Sequence, residues 1–241
     1  MKKVMVMAIV LLTFTLAGCG NEKQTEEENT TMEAISEKTK DGLERNVHSV
    51  PEEFVYVTSD IDNEGYRIDS YEGEADILDI PDEYEGVPVI EIKDNAFSYT
   101  KIAQVNLGSN IQKLGEKAFI GCNNLSKVKL NEGLKIIGEA AFLQTALEGE
   151  LLIPDSVEKI ESIALAITNL ESIVVGRNVN KIEYQAFASN SNLKTVIFHC
   201  ENADVHDNDM FEDSDHVTII AAKGSTEEKY AKDHGIDFEE R

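Results

Sequence analysis

The chain has 241 residues, of which 41% are hydrophobic and 28% are charged, so it is long enough and apolar enough to bury one ordinary core. Its formal net charge is −24 at pH 7, with 46 acidic residues against 22 lysines and arginines. This negative charge excludes nucleic acid as an expected partner and repels an anionic membrane surface, so any membrane attachment has to be covalent or inserted.

The N-terminal segment has the order of parts of a secretory signal. Met1–Lys3 is positively charged, Val4–Leu16 is an almost unbroken apolar run, and Leu16–Cys19 reads Leu-Ala-Gly-Cys. The apolar run is too short to span a bilayer as a stable helix. The last four residues resemble the lipobox of bacterial lipoproteins. This resemblance implies cleavage of a signal peptide over 1–18, lipidation of Cys19 and attachment to the extracellular face of the cell membrane.

The composition changes twice after the signal. Residues 19–53 are rich in Glu, Thr, Asn and Lys and have no sustained apolar period, which predicts an acidic, flexible tether. Two strand-like segments, Phe54–Val57 and Tyr66–Tyr71, then flank the turn-like Asp62–Gly65. The sequence therefore predicts a β-hairpin at the start of a folded domain over 54–241.

An apolar motif then recurs along the chain. Its pairs are spaced by 22, 23, 23 and 22 residues: Ala96-Phe97, Ala118-Phe119, Ala141-Phe142, Ala164-Leu165 and Ala186-Phe187. An apolar-x-x-apolar-x-apolar strand pattern lies in each interval, and the copy from Leu147 to Ile153 carries one extra residue. A unit this short cannot bury its own apolar face, so the units have to stack. The sequence predicts an α/β, mainly β, solenoid of 22–23-residue coils, each with a strand, a loop and a helical or 3₁₀ turn that carries the Ala-Phe pair.

The repeats resemble the BspA-like leucine-rich repeats of bacterial surface proteins. The likeness rests on Leu125–Leu130, Leu134–Gly138, Ala141-Phe142 and Ala118–Leu125, and it extends from near Tyr66 to Phe238. It implies a non-enzymatic protein that recognises another protein or a host surface. Two other classes stay open as alternatives: a solute-binding lipoprotein of a transporter, which requires two α/β lobes, and a lipid-anchored enzyme.

The C-terminal segment predicts a helix that covers the last coil. Ser225–Glu228 has the pattern of a capping box, Tyr230 and Ala231 supply an apolar side, and Gly235 is a helix stop. Earlier in the chain, Cys122 and Cys200 lie about three coils apart, which is too far for a disulfide, so we expect two free and mostly buried thiols.

Clusters with metal-binding or catalytic potential are incomplete. Asp60–Glu64 resembles the start of a calcium loop, but the glutamate required at the twelfth position is replaced by Tyr71. The acidic segment Asp204–His216 contains His206, Asp209 and His216 but has no fixed ligand spacing. We expect no metal, no cofactor and no catalytic residues.

One set of residues predicts a binding surface. Side chains alternate along a strand, so the residue between the last two apolar positions of each strand points away from the core. In three consecutive coils this residue is apolar, which predicts an exposed stripe that contacts a protein ligand. The stripe consists of Leu152, Val174 and Ile197, flanked by Glu150, Ser172 and Thr195. The alternative is that β-propensity alone selected these residues. We expect the protein to be a monomer.

Overall fold

The computed structural model describes residues 36–38, 44–46, 48–59, 65–205 and 209–241, which belong to one compact unit over 34–241. A 3₁₀ turn covers Pro51–Glu53, and one α-helix, α1 (Thr226–His234), lies within the described residues. Their strands are β1 (Ser36–Lys38), β2 (Glu44–Asn46), β3 (Phe54–Thr58), β4 (Tyr66–Tyr71), β5 (Ile77–Asp79), β6 (Glu83–Tyr84), β7 (Val87–Ile92), β8 (Gln104–Asn106), β9 (Lys113–Leu114), β10 (Lys127–Lys129), β11 (Ile136–Ile137), β12 (Glu148–Leu152), β13 (Lys159–Ile160), β14 (Asn169–Val175), β15 (Lys181–Ile182), β16 (Thr195–Phe198), β17 (Thr218–Ala221) and β18 (Asp237–Glu240).

The strands stack in parallel along two sides of the molecule, because each coil contributes one strand to each side. On the first side, which we call the strand face, β5, β8 and β10 form one sheet and β12, β14, β16, β17 and β18 form another. On the second side, β7, β9, β11, β13 and β15 pair in order. The predicted solenoid is confirmed: it is mainly β, with about seven coils of about 23 residues.

The Ala-Phe pairs fill the centre of the stack. Phe97, Phe119, Phe142 and Phe187 are fully buried, and Phe97 lies parallel to Phe119 with ring centroids 5.0 Å apart. Leu165 occupies the same position in its coil and is also fully buried. Removing one such side chain from water stabilises the fold by roughly 1.5–3 kcal/mol, so this column contributes much of the core energy.

The pairs lie in short stacked turns, in which the N–H of Ala96 donates to the carbonyl of Lys93 across 3.2 Å. The N–H of Phe97 donates to the carbonyl of Ala118 in the next coil across 2.9 Å, and the N–H of Phe119 donates to Ala141 across 2.8 Å. Left-handed residues, such as Lys117 with a φ of 57°, interrupt the turns. Because they direct alternate N–H groups towards the next coil, a continuous helix cannot form.

A polar column that the sequence analysis missed follows each Phe position by three residues. Its members are Thr100, Cys122, Thr145, Thr168, Asn190 and Ser214. The Thr145 hydroxyl donates to the carbonyl of Phe142 across 2.9 Å, and the Asn190 amide donates to Phe187 across 2.9 Å. These bonds pair buried backbone carbonyl groups, and the carbonyl of Phe187 also accepts a hydrogen bond from the Ser214 hydroxyl across 3.1 Å.

The predicted hairpin is confirmed, because β3 and β4 pair antiparallel and β4 continues onto β7. Ordered pairing begins earlier than the predicted boundary at Phe54. His48 forms a parallel bridge with Ile77, and the N–H of Ser49 donates to the carbonyl of Ile77 across 2.9 Å. Strands β1 and β2 also pair with each other inside the segment predicted to be a flexible tether. The composition argument missed this pairing because backbone hydrogen bonds require no apolar side chains.

The strand face is interrupted between β10 and β12. The strand register shifts between Gly149 and Glu150, and Gly149 adopts a left-handed φ of 71°. Gly149 pairs with Leu170 and Glu150 pairs with Ser172, so Glu171 of β14 is the unpaired residue of a β-bulge between these two strands. Among the described strands, β12 pairs with β14 on one side and does not pair with β10 on the other. The strand face therefore consists of two sheets, one ending at β10 and the other at β12.

The predicted C-terminal helix is confirmed. The Ser225 hydroxyl accepts a hydrogen bond from the N–H of Glu228, and Gly235 ends α1 in the left-handed conformation. Tyr230 and Ala231 are buried, and the Tyr230 hydroxyl accepts a hydrogen bond from the N–H of Met210 across 2.8 Å. The helix thus covers the apolar end of the stack.

Candidate ligand-binding face

The predicted stripe forms a continuous column across neighbouring strands. Leu152 pairs in register with Val174, and Val174 pairs with Ile197. The column continues to Ile220, which the sequence analysis did not include. Leu152 is 60% exposed, whereas the other three side chains are half-buried. The column is therefore more sheltered than the predicted stripe, because in-register neighbours cover one another.

The flanking residues form a second, polar column beside it. Glu150 pairs with Ser172, Ser172 pairs with Thr195, and Thr195 pairs with Thr218. The Ser172 hydroxyl donates to the Glu150 carboxylate across 3.3 Å. A partner strand or loop would meet a row of apolar side chains bordered by a row of hydroxyl groups, which is the arrangement expected of an interface core with a polar rim.

The alternation that exposes these columns is confirmed by burial. The intervening residues Leu151, Ile173, Val196 and Ile219 have at most 4% of their surface exposed. The inward side chains of the sheet therefore stabilise the core, and the outward side chains are the ones that can contact solvent or a ligand.

The second side of the solenoid carries paired charges instead. The Lys159 ammonium lies 2.7 Å from the Glu161 carboxylate and 2.9 Å from that of Glu183, and Lys181 lies 3.1 Å from Glu183. Burial opposes the charge of Glu183, but hydrogen bonds from the two lysines outweigh it and lower the pKa of this carboxyl group. These charges satisfy one another, so this side offers a ligand little unpaired charge.

The structure describes only some of the residues that the sequence suggested as metal ligands or catalytic groups. Asp209 and His216 line a pocket of about 450 Å³ against α1, together with Asp215 and His234. His206 and the segment 60–64 lie outside the described residues. Within the described ranges, no three His, Cys, Asp or Glu side chains are grouped so that they could hold a metal ion. The absence of catalysis, metal and cofactor stays a prediction.

Two of the three cysteines lie within the described residues. Cys122 and Cys200 are free and buried, as expected, and burial raises the pKa of both thiols, that of Cys200 to about 12. The predicted lipidation site, Cys19, lies outside the described residues. No helix in the described part of the chain is long and apolar enough to cross a membrane.

Exposed apolar residues also occur on the turn side, where the sequence analysis did not place any. Tyr99, Ile167 and Tyr184 are 71%, 50% and 49% exposed. They could not be found from strand alternation because the turns follow no period of two. Ile167 adopts a φ of 55°, which is strained for a β-branched residue.

Parallel strands on two sides, a column of buried Ala-Phe turns and a helical cap define a leucine-rich-repeat solenoid. A family model described as the BspA type leucine rich repeat region matches residues 90–218 in six copies. The chain belongs to this family, which confirms the resemblance inferred from the repeats. A comparison with curated proteins finds no match to the sequence.

Solved structures share the fold. A leucine-rich-repeat protein from T. pallidum has a TM-score of 0.64 and 21% identity, over 80% of this chain and 98% of that one. A leucine-rich-repeat protein from Bacteroides ovatus has a TM-score of 0.57 and 19% identity, over 71% of this chain and 46% of that one. The pneumococcal vaccine antigen PcpA has a TM-score of 0.58 and 18% identity, over 73% of this chain and 44% of that one. This chain thus spans less than half the length of the last two.

Proposed function

We propose that this chain is a lipid-anchored protein on the outer surface of a bacterial cell and that its strand face binds a protein ligand. The observation that carries the proposal is the in-register column of Leu152, Val174, Ile197 and Ile220 beside the hydroxyl row. Membership of the leucine-rich-repeat family supports a role in protein interaction. Solenoids of stacked coils present extended surfaces of this kind.

The lipid anchor follows from the Leu16–Cys19 motif and places the solenoid outside the cell. A tether over 19–53 would hold it away from the lipid surface, where a protein ligand has access to the strand face. The alternative, a solute-binding lipoprotein, requires two α/β lobes, and the described residues form a solenoid instead. No specific observation favours an enzyme.

The binding role is tested by replacing Leu152, Val174 and Ile197 together by Thr. This stripe variant places a β-branched residue at each of the three strand positions, so we expect the fold to be retained and capture of the ligand from envelope or host extracts to be lost. The matched control replaces Tyr99, Ile167 and Tyr184 by Asn, which the left-handed backbone of Tyr99 and Ile167 accommodates, and removes comparable exposed apolar groups from the turn side. Equal capture by the stripe variant, the control and the wild type, with intact circular dichroism, would disprove the role of the strand face.

The anchor is tested separately with Cys19→Ala. We expect the wild-type chain to be processed before Cys19, to carry lipid detectable by mass spectrometry and to sediment with membranes. The variant should remain unprocessed and carry no lipid. A lipid-modified product from the Cys19→Ala variant, or an unmodified Cys19 in the mature wild type, would rule out this anchor.

A further inference from the structure

The break between β10 and β12 opens a cleft of about 380 Å³ in the strand face. The two coils are still joined where the strands begin, since the N–H of Glu148 donates to the carbonyl of Ser126 across 3.2 Å. Beyond that point β10 and β12 do not pair, whereas every residue of β12 pairs with β14. The cleft lies at the repeat from Leu147 to Ile153, which carries one extra residue.

The facing edges of the cleft have open backbone positions. In the preceding coil, the N–H of Leu107 donates to the carbonyl of Lys129 across 3.1 Å. The equivalent bond, from Leu130 to Leu152 across the break, is absent from the described residues. Alternate residues of a parallel strand bond to opposite neighbours, so several backbone groups of β10 and β12 are left facing the cleft.

The floor of the cleft is apolar and only partly covered. Val128 lines the cleft and is half-buried, although it belongs to the inward-facing pattern of its coil. Val105 and Ile173, which hold the same position in other coils, are fully buried. The same residue type at the same repeat position is therefore less covered here than elsewhere in the stack, and a ligand could restore its burial.

The two walls carry opposite charges that do not meet. Lys127 and Lys129 stand exposed on β10, and Glu148 and Glu150 stand exposed on β12. None of these four forms an ion pair with another described residue, in contrast to lysines such as Lys194, which pairs with Glu171 on the same face across 3.1 Å. A ligand in the cleft would lie between an unpaired basic row and an unpaired acidic row.

We propose that the cleft receives an extended segment of the protein partner, whose backbone forms hydrogen bonds with the open groups of β10 and β12 in the manner of an added strand. The inward side chains of this segment are apolar and contact Val128 and Leu151, while its outward side chains alternate acidic and basic groups between the two charged walls. Strand addition of this kind takes affinity from backbone hydrogen bonds and specificity from alternate side chains. The inference rests on the proposed function and names the partner element that the strand face recognises.

The probe is a library of short peptides in which Val alternates with Glu, Arg, Thr or Gln, selected against the immobilised full chain. We expect enrichment of peptides that carry both Glu and Arg. N-methylation of alternate residues, which removes backbone donors and leaves the side chains, should weaken the selected peptides by more than about tenfold. Failure to enrich any peptide, or binding that survives N-methylation, would overturn the proposal.

A pair of protein variants locates the binding. Lys127→Glu with Lys129→Glu makes both walls acidic and should weaken the selected peptides by about tenfold. The control, Lys135→Glu with Lys194→Glu, changes the net charge equally at exposed lysines outside the cleft and should leave affinity within about twofold. Equal losses of peptide affinity in both variants would show a general charge effect and refute the cleft as the binding site.

The same variants separate this inference from the proposed function. If the stripe variant loses ligand capture and the Lys127/Lys129 variant retains it, binding in the cleft is refuted and ligand binding by the strand face stands. If the Lys127/Lys129 variant loses peptide binding and the wild-type protein captures no ligand, binding in the cleft is supported and the proposed ligand-binding function is refuted.

Discussion

The rings of Phe119 and Phe142 lie parallel, with centroids 5.3 Å apart and an interplanar angle of 3°. Phe119 also stacks on Phe97 of the preceding coil, so its truncation affects two interfaces of the stack. We predict that Phe119→Ala lowers the free energy of unfolding by about 3–5 kcal/mol in urea titrations. Phe119→Leu should cost less, because Leu165 already fills this position in another coil. A loss below about 1 kcal/mol for Phe119→Ala would contradict a tightly packed column.

Ile167 offers a stabilising change. It is half-exposed and holds a left-handed backbone conformation that disfavours β-branched residues, whereas Asn adopts it readily. We predict that Ile167→Asn raises the free energy of unfolding by about 1 kcal/mol. Tyr184→Asn is the control, since Tyr184 is similarly exposed but does not have a positive φ. If both substitutions change the free energy of unfolding equally, the gain comes from replacing an exposed apolar side chain and not from relief of backbone strain.

Stability should depend on pH through Glu183. Its pKa is lowered in the fold, so its ion pairs with Lys159 and Lys181 stabilise the protein above the unfolded pKa and are lost as pH falls through the folded pKa. We predict that wild-type stability decreases below about pH 5 and that Glu183→Gln flattens this decrease. The difference should be under about 1 kcal/mol, because the pair is partly exposed to solvent. Glu132→Gln, at an exposed carboxylate without a described ion pair, should leave the pH profile unchanged.

The two buried thiols should be unreactive in the folded protein. Burial raises the pKa of Cys122 and of Cys200, so the reactive thiolate is disfavoured, and both side chains are shielded from a reagent. We predict that iodoacetamide alkylates both residues only in denaturant, as measured by peptide mass spectrometry. Rapid alkylation of Cys200 in the folded chain would indicate that the C-terminal cap opens readily.

The N-cap of α1 should contribute measurably to stability. The Ser225 hydroxyl satisfies the N–H of Glu228 in the first turn of the helix. We predict that Ser225→Ala lowers the free energy of unfolding by about 1 kcal/mol, and that Ser225→Asp, which keeps a capping oxygen, retains wild-type stability. Equal melting temperatures for the wild type and Ser225→Ala would show that tertiary packing alone holds the helix.

The polar column could have been predicted from the sequence. Its members stand three residues after each Phe position, and a search for a second period beside Ala-Phe would have found them. The ordered pairing before Phe54 carries no such signal. His48 and Ser49 join the fold through backbone contacts with Ile77, and those contacts depend on where the first coil lies in space.

The amino-acid sequence by itself determined the repeat, the buried Ala-Phe column, the cap between Ser225 and Gly235 and the register of Leu152, Val174 and Ile197, because each follows from a local period or a local capping pattern. The tertiary structure decided how far neighbouring side chains shelter one another and which neighbouring strands pair. An extra residue can be absorbed in a loop or can change the pairing of a strand, and only the packing of the adjacent coils determines that β12 pairs with β14 and not with β10.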